Sequence, residues 1–222
     1  LTVPALRGKV AKASTPFDKR EYQSRLRRLH QRTADKCDVA VIVDAANICY
    51  LSGYLGESGY VPQGLVIAED PLVPRLFLRR QDAPAAMYWS FMPNACIEGY
   101  SEDFIGHREL SGFDVIFDHV ASLRASSVGV EMDSMAAADI ERIRSRHPAL
   151  KLVDISGEGV KLRLRKSAAE VAVQREAARI TDHVMAQVPH YFEQSEFEYQ
   201  VAAKISAGLI EGVDGLAGHK TD

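Results

Sequence analysis

The stretch "DVAVIVD", Asp38 to Asp44, constrains the fold more than any other part of the chain. It holds five successive apolar residues, most of them β-branched, between two aspartates. It is too short for a helix and apolar on both faces, so it reads as a strand buried on both sides. Such a strand needs a covering layer above and below, which makes the chain an α/β protein. The flanks agree. Tyr22, Leu26 and Leu29 recur at helical spacing after Asp18, a plausible N-cap with Glu21 as its capping-box partner, and predict a helix over 18–36. The residues from Ala45 to Ser52 predict a short helix closed by Gly53.

The next stretches alternate in the same way. "YVPQGLVIAED" and "RLFLRR" predict two antiparallel strands turned through Asp70, Pro71 and Pro74. Pro62 argues for an edge or bulged start to the first of them. Residues 80–92 are expected to be helical around Ala85 to Met87. Over 109–123 the apolar positions 113, 116, 117, 120 and 123 fall on one helical face. "SVGVEMD" and "LKLVDIS" are strands, and between them Ser134 is expected to cap a helix carrying Ile140 and Ile143 that ends at Pro148. After Gly157 only helix patterns remain, with Ser167 and Glu170 forming a capping box. The expected fold class is therefore α/β: a mixed sheet flanked by helices, followed by two helices. The expected organisation is an N-terminal arm over 1–16, an α/β domain over 17–156, and a linker with further helices over 157–222.

Composition excludes several functions. The formal net charge is -3 with both signs interspersed, so neither nucleic acid nor an anionic membrane is an expected partner. The cluster Arg25, Arg27, Arg28 and Arg32 reads as a solvated helix face. Cys37, Cys49 and Cys96 lack paired spacing, which argues against disulfides and structural zinc and for a reducing cytoplasm. No apolar run approaches the roughly 20 residues of a membrane span. There is no nucleophile elbow, no P-loop and no G-x-G-x-x-G after a strand, and the seven histidines never form H-E-x-x-H. Asp103 and Asp114 stand eleven residues apart, a spacing also found in dinuclear metal sites. That leaves the glycine-rich stretch "NICYLSGYLGESGYVPQG", Asn47 to Gly64, as the feature whose role is open.

Four stretches, in order, resemble the N-terminal half of the creatinase, prolidase and aminopeptidase P family of "pita-bread" metallohydrolases. They are "FDKREYQSRLRRLH", "CDVAVIVDAANICYLSGY", "VGVEMD" with "LKLVDIS", and "LRLRKSAAEVAVQREAARITDHVM". "LFLRRQDAPAAMYWSFMPNACIEGYSEDFIGH" and "GLIEGVDGLAGHKTD" are most similar to the ectoine hydrolase branch. Thr33 to Lys36 depart from the family pattern at a helix end.

The resemblance implies a two-domain hydrolase of C–N bonds, acting on a small molecule or a short peptide. Its catalytic half lies C-terminal and holds a divalent metal (Mn, Co, Fe or Zn) with two Asp, one His and two Glu. It implies that Asp103 and Asp114 are not that ligand pair, that no catalytic or metal-binding residue lies in this chain, and that the chain is inactive alone. It also implies a homodimer in which the loop after Y-L-S-G-Y contributes substrate contacts to the other subunit's active site, through Glu57, Ser58 and Tyr60. The alternative for that loop is that Tyr54 and Tyr60 pack under it and its glycines only permit the turn. The alternative for the chain is a non-catalytic protein-interaction module of the same fold.

Overall fold

A computed structural model of the chain describes residues 12, 15–56 and 60–215. They form two compact units, Leu1–Arg165 and Lys166–Asp222. The first unit is built on a six-stranded sheet. In chain order its elements are α1 (Lys19–Thr33), β1 (Val39–Ile42), α2 (Ala45–Ser52), β2 (Gly64–Ile67), β3 (Arg75–Arg79), α3 (Ala83–Trp89), β4 (Ile97–Tyr100), α4 (Gly112–Ser122), β5 (Ser127–Val130), α5 (Ala137–Arg146), β6 (Lys151–Asp154) and α6 (Glu158–Leu164). The strand order is β4-β3-β2-β1-β5-β6. β2 runs antiparallel to β1 and β3, whereas β1–β5, β5–β6 and β3–β4 are parallel pairs, so the sheet is mixed.

β1 is buried along its whole length and divides the core. Because side chains alternate across a strand, Ala40 and Ile42 face one layer with Leu26 and Leu29 of α1, Ile48 and Leu51 of α2, and Leu162 of α6. Val39, Val41 and Val43 face the other, with Phe113, Ile116, Phe117 and Val120 of α4 and Ile143 of α5. The three-layer arrangement follows from one apolar run.

Several local expectations change. Asp18 caps α1 by accepting from the Glu21 amide at 2.9 Å, but Glu21 turns to Arg25 (3.2 Å) instead of returning to the cap. Pro62 is not at an edge: β2 lies between β1 and β3 and starts only at Gly64, so the missing N–H never enters the ladder. Ser134 does not cap α5. It closes a 3₁₀ turn over Met132–Ser134, and Ala136 takes the N-cap position without a side-chain bond. Leu123 is the α4 C-cap and is exposed, since the chain turns at Arg124, φ 56°. β4, "IEGY", has no strand signal in the sequence because its Glu and Gly sit on an edge strand.

The arginine cluster is a solvated face only in part. Arg25 is 1% exposed, with its guanidinium 4.2 Å from the ring centroids of Phe17 and Tyr50 and donating to the Tyr50 carbonyl at 2.9 Å. Arg28 donates to the Tyr50 hydroxyl, and Arg32 reaches Glu158. Arg25 turns inward because aromatic faces and a carbonyl wait there, whereas Arg27 and Arg32 stay exposed.

Glu158 fixes α6 to α1. Its buried carboxylate meets Arg32 (2.6 Å), Lys36 (3.0 Å) and Lys161 (2.8 Å). Burial alone would raise its pKa, but the three cations win and hold it at about 2, against an ordinary 4.5. A carboxyl whose folded pKa is depressed stabilises the fold above its unfolded value and loses that contribution as pH falls through the folded one. The Glu158 contribution is thus full above about pH 4.5 and is lost toward pH 2. In Glu158→Gln, urea midpoints measured from pH 5 to pH 2 should fall less steeply than in the wild type.

At the start of the described chain, Lys12 donates to the carbonyls of Ser90 (3.0 Å) and Met92 (2.6 Å), just beyond α3, and burial lowers its pKa to about 8. The second unit holds α7 (Ala168–Glu193) and α8 (Glu198–Glu211). Ser167 and Glu170 form the expected capping box. Ile180, Val184 and Val201 are buried, and Gly208 brings the α8 backbone close to Val184, where a Cβ would stand 3.1 Å from Cγ2. Val173 and Met185 of α7 are exposed.

Candidate functional site

The carboxyl end of β1 is where the chain's signature stretches meet. Asp44 caps α2, accepting from the Asn47 amide at 2.8 Å. Asn47, 3% exposed, donates through Nδ2 to Glu131 at 2.6 Å and accepts from Arg163 Nη1 at 2.9 Å. Glu131, 1% exposed and immediately after β5, also accepts from the amides of Val43 (2.8 Å) and Asp44 (2.9 Å). Arg163 stands 3.8 Å from Asp44. One buried carboxylate and one amide side chain therefore tie β1, α2, β5 and α6 together. Burial raises the Glu131 pKa, opposed by its three donors. The space for Asn47 depends on Gly159: a Cβ there would stand 2.5 Å from Asn47 Cγ and Nδ2. Gly159→Ala should therefore lower stability by about 1–2 kcal/mol after the gain in helix propensity, read as a lower urea midpoint at unchanged slope.

The loop after α2 starts at Gly53, φ 78°, a left-handed C-cap that glycine adopts without strain. Tyr54 turns inward, 2% exposed, and burial pushes its pKa up to about 12. Gly56 lies against its ring, where a Cβ would be 2.2 Å from the hydroxyl. Glu57 and Ser58 lie outside the described residues. Tyr60 is 71% exposed and does not pack beneath the loop. Its hydroxyl is hydrogen-bonded by Arg79, whose guanidinium is 5.2 Å from the ring centroid and which is itself paired with Asp82 at 2.8 Å. The Tyr100 hydroxyl donates to the Pro62 carbonyl and holds the far end of the loop. Of the two tyrosines, one anchors the loop and the other is held outward at its rim.

Between this loop and the ends of β1 and β5 lies a cavity of about 460 Å³, lined by Val43, Asp44, Tyr60, Gln63, Phe113 and Asp139 among others. Crevices at the carboxyl ends of parallel strands are the usual ligand positions of α/β sheets. Asp103 and Asp114 are both engaged elsewhere. Asp103 bonds the Ser101 hydroxyl, and Asp114 closes the α4 capping box and takes Arg142 on both oxygens, at 2.9 and 2.7 Å. Among the described residues no three His, Cys, Asp or Glu side chains are arranged to hold a metal ion. Glu131 and Arg163 were missed as site residues by the sequence reading. Both lie in stretches quoted for the resemblance, but nothing local in either shows that they converge on Asn47.

The Creatinase/Prolidase N-terminal domain family matches residues 25–165. A hydrolase/peptidase of Sinorhizobium fredii is 32% identical over 213 residues, 94% of this chain and 55% of that protein. The ectoine hydrolase of Halomonas elongata is 26% identical over 205 residues, 90% of this chain and 51% of that protein. Among solved structures, the X-Pro aminopeptidase from Thermotoga maritima aligns with a TM-score of 0.65 at 18% identity, covering 83% of this chain and 48% of that one. The prolidase from Pyrococcus furiosus gives 0.62 at 17%, covering 83% and 52%. At these identities the structural likeness speaks for the fold, and the chain spans about half the length of the curated relatives it matches. Because the family match runs from within α1 through α6 and takes in all six strands, the chain belongs to the Creatinase/Prolidase N-terminal domain family.

Proposed function

We propose that this chain is the N-terminal portion of a hydrolase acting on C–N bonds, of the ectoine hydrolase or Xaa-Pro peptidase kind, and that it serves a homodimer by completing the other subunit's active site. On this reading the second unit opens the catalytic half. The divalent metal is held by residues outside the chain, and the 222 residues alone have no turnover. The substrate is a small molecule or a short peptide. Glu57, Ser58 and Tyr60 supply contacts in trans from the loop between α2 and β2. The reading is carried chiefly by Tyr60. A large aromatic side chain left 71% exposed, yet fixed by Arg79 at the mouth of a cavity, is the form of a contact residue rather than a packing residue. The relatives' status as hydrolases and peptidases supports the reaction class.

The test is kinetic, in the longer protein. Glu57→Ala and Tyr60→Phe should each change kcat or KM by about tenfold, the size expected for loss of one polar contact to bound substrate. If both variants keep wild-type kcat and KM, the loop has no such role; a longer protein with no hydrolase activity at all would favour the interaction module.

A further inference from the structure

We propose that the cavity at the carboxyl ends of β1 and β5 binds a small organic cation, an amine or amidinium carried on an apolar body. This inference concerns the first unit by itself and does not depend on the loop acting in trans. Two acceptors in the lining lack donors. Gln63 is 7% exposed, and its Oε1 is buried without a hydrogen-bond partner. Such an atom is normally satisfied, so an orphan in a cavity wall points to a donor that arrives from outside. Asp139, in the first turn of α5, is half-buried, and its carboxylate accepts no hydrogen bond from any described residue. Burial raises its pKa, with nearby Asp114 adding to the effect and Arg142 opposing it. Asp44 adds a second carboxylate, whose capping bond uses one of several lone-pair positions.

The charges around the cavity decide the sign of the ligand. Among the described lining residues there is no Lys, Arg or His. Nearby guanidiniums hydrogen-bond other side chains: Arg142 takes Asp114, Arg79 takes Asp82 and Arg163 takes Asn47, although Arg142 still acts on Asp139 and Arg163 stands 3.8 Å from Asp44. The helix N-termini at Ala45 and Ala137 would favour an anion, but each has a carboxylate in or beside its first turn, so an anion would meet Asp44 and Asp139. A cation meets two carboxylates and a free amide oxygen. The buried side chains of Val43 and Phe113, with Met135, supply an apolar part of the wall beside Ser134, and the Tyr60 ring stands at the rim. The volume of about 460 Å³ suits a molecule of one ring and a short arm.

The experiment uses the 222-residue chain and three probes of one shape: benzylammonium, benzyl alcohol and benzoate, titrated by NMR and calorimetry. Benzylammonium should bind saturably, shift resonances of Gln63 and Asp139, and bind at least about tenfold more tightly than the alcohol, with benzoate weakest. Asp139→Asn and Gln63→Leu should each weaken it by about tenfold while leaving the melting transition in place. If Asp139→Asn loses that transition, Gln63→Leu decides, because it removes only the unpaired amide. Equal binding of all three probes, binding of none, or undiminished binding in the folded variants would overturn the proposal.

Discussion

Glu131→Leu should lower the stability of the first unit by about 4 kcal/mol, because it strands three buried donors at once. The amides of Val43 and Asp44 and the Asn47 side chain all donate to this carboxylate, and leucine of similar volume accepts nothing. Each unsatisfied donor costs roughly 1–3 kcal/mol, offset in part by relief of the desolvation that raises the Glu131 pKa. The two buried carboxyls also separate by pH. A raised folded pKa means that the folded state holds its proton more tightly, so stability rises as pH falls through that value toward the unfolded one. Glu131 therefore contributes a limb above the usual carboxylate range, opposite in sign to the Glu158 limb below it. Urea unfolding of Glu131→Leu across pH 4 to 8 should show the drop and the loss of the upper limb. A change below about 1 kcal/mol would mean that the three donors find other partners.

Arg25→Ala should lower stability by about 3 kcal/mol, the second large effect. The side chain holds Glu21 at 3.2 Å, bonds the Tyr50 carbonyl, and lies against Phe17, Tyr22 and Tyr50. Its removal leaves a void beneath α1 and a half-buried carboxylate without its cation. Arg25→Met refills most of the void but restores no charge, and should recover about 1 kcal/mol of the loss. If the methionine variant equals the wild type in thermal unfolding, the site is only a volume and the aromatic contacts add nothing.

These two residues mark how far the sequence could be read. The sheet was legible from "DVAVIVD" because a strand buried on both faces leaves an unbroken apolar run, and the short helix from Ala45 to Ser52 was legible because Gly53 ends it. β4 was not, because an edge strand does not need that run. Arg25 reads as surface because arginine usually is, and only Phe17 and Tyr50, brought beside it by folding, make burial favourable. The site was legible as a set of stretches and not as a constellation. Asn47, Glu131 and Arg163 are separated by 84 and 116 residues from Asn47 to each partner, and the parallel pairing of β1 with β5 brings them together. Tyr54 and Tyr60 show the same limit: two tyrosines of one loop, of which one enters the core and the other is held outward by an arginine from β3.

The role proposed for the loop makes a claim about which subunit it serves, and mixed dimers of the longer protein test it most directly. One subunit carries Glu57→Ala with Tyr60→Phe and an intact catalytic half. The other carries an intact loop and a disabled catalytic half. Each homodimer should be impaired. If the loop acts in trans, mixing and re-forming dimers pairs the intact catalytic half with the intact loop, and activity should reappear above the sum of the two parents. If the mixture shows only that sum, although mass spectrometry confirms heterodimers, the loop serves its own subunit or none, and the proposed function is wrong.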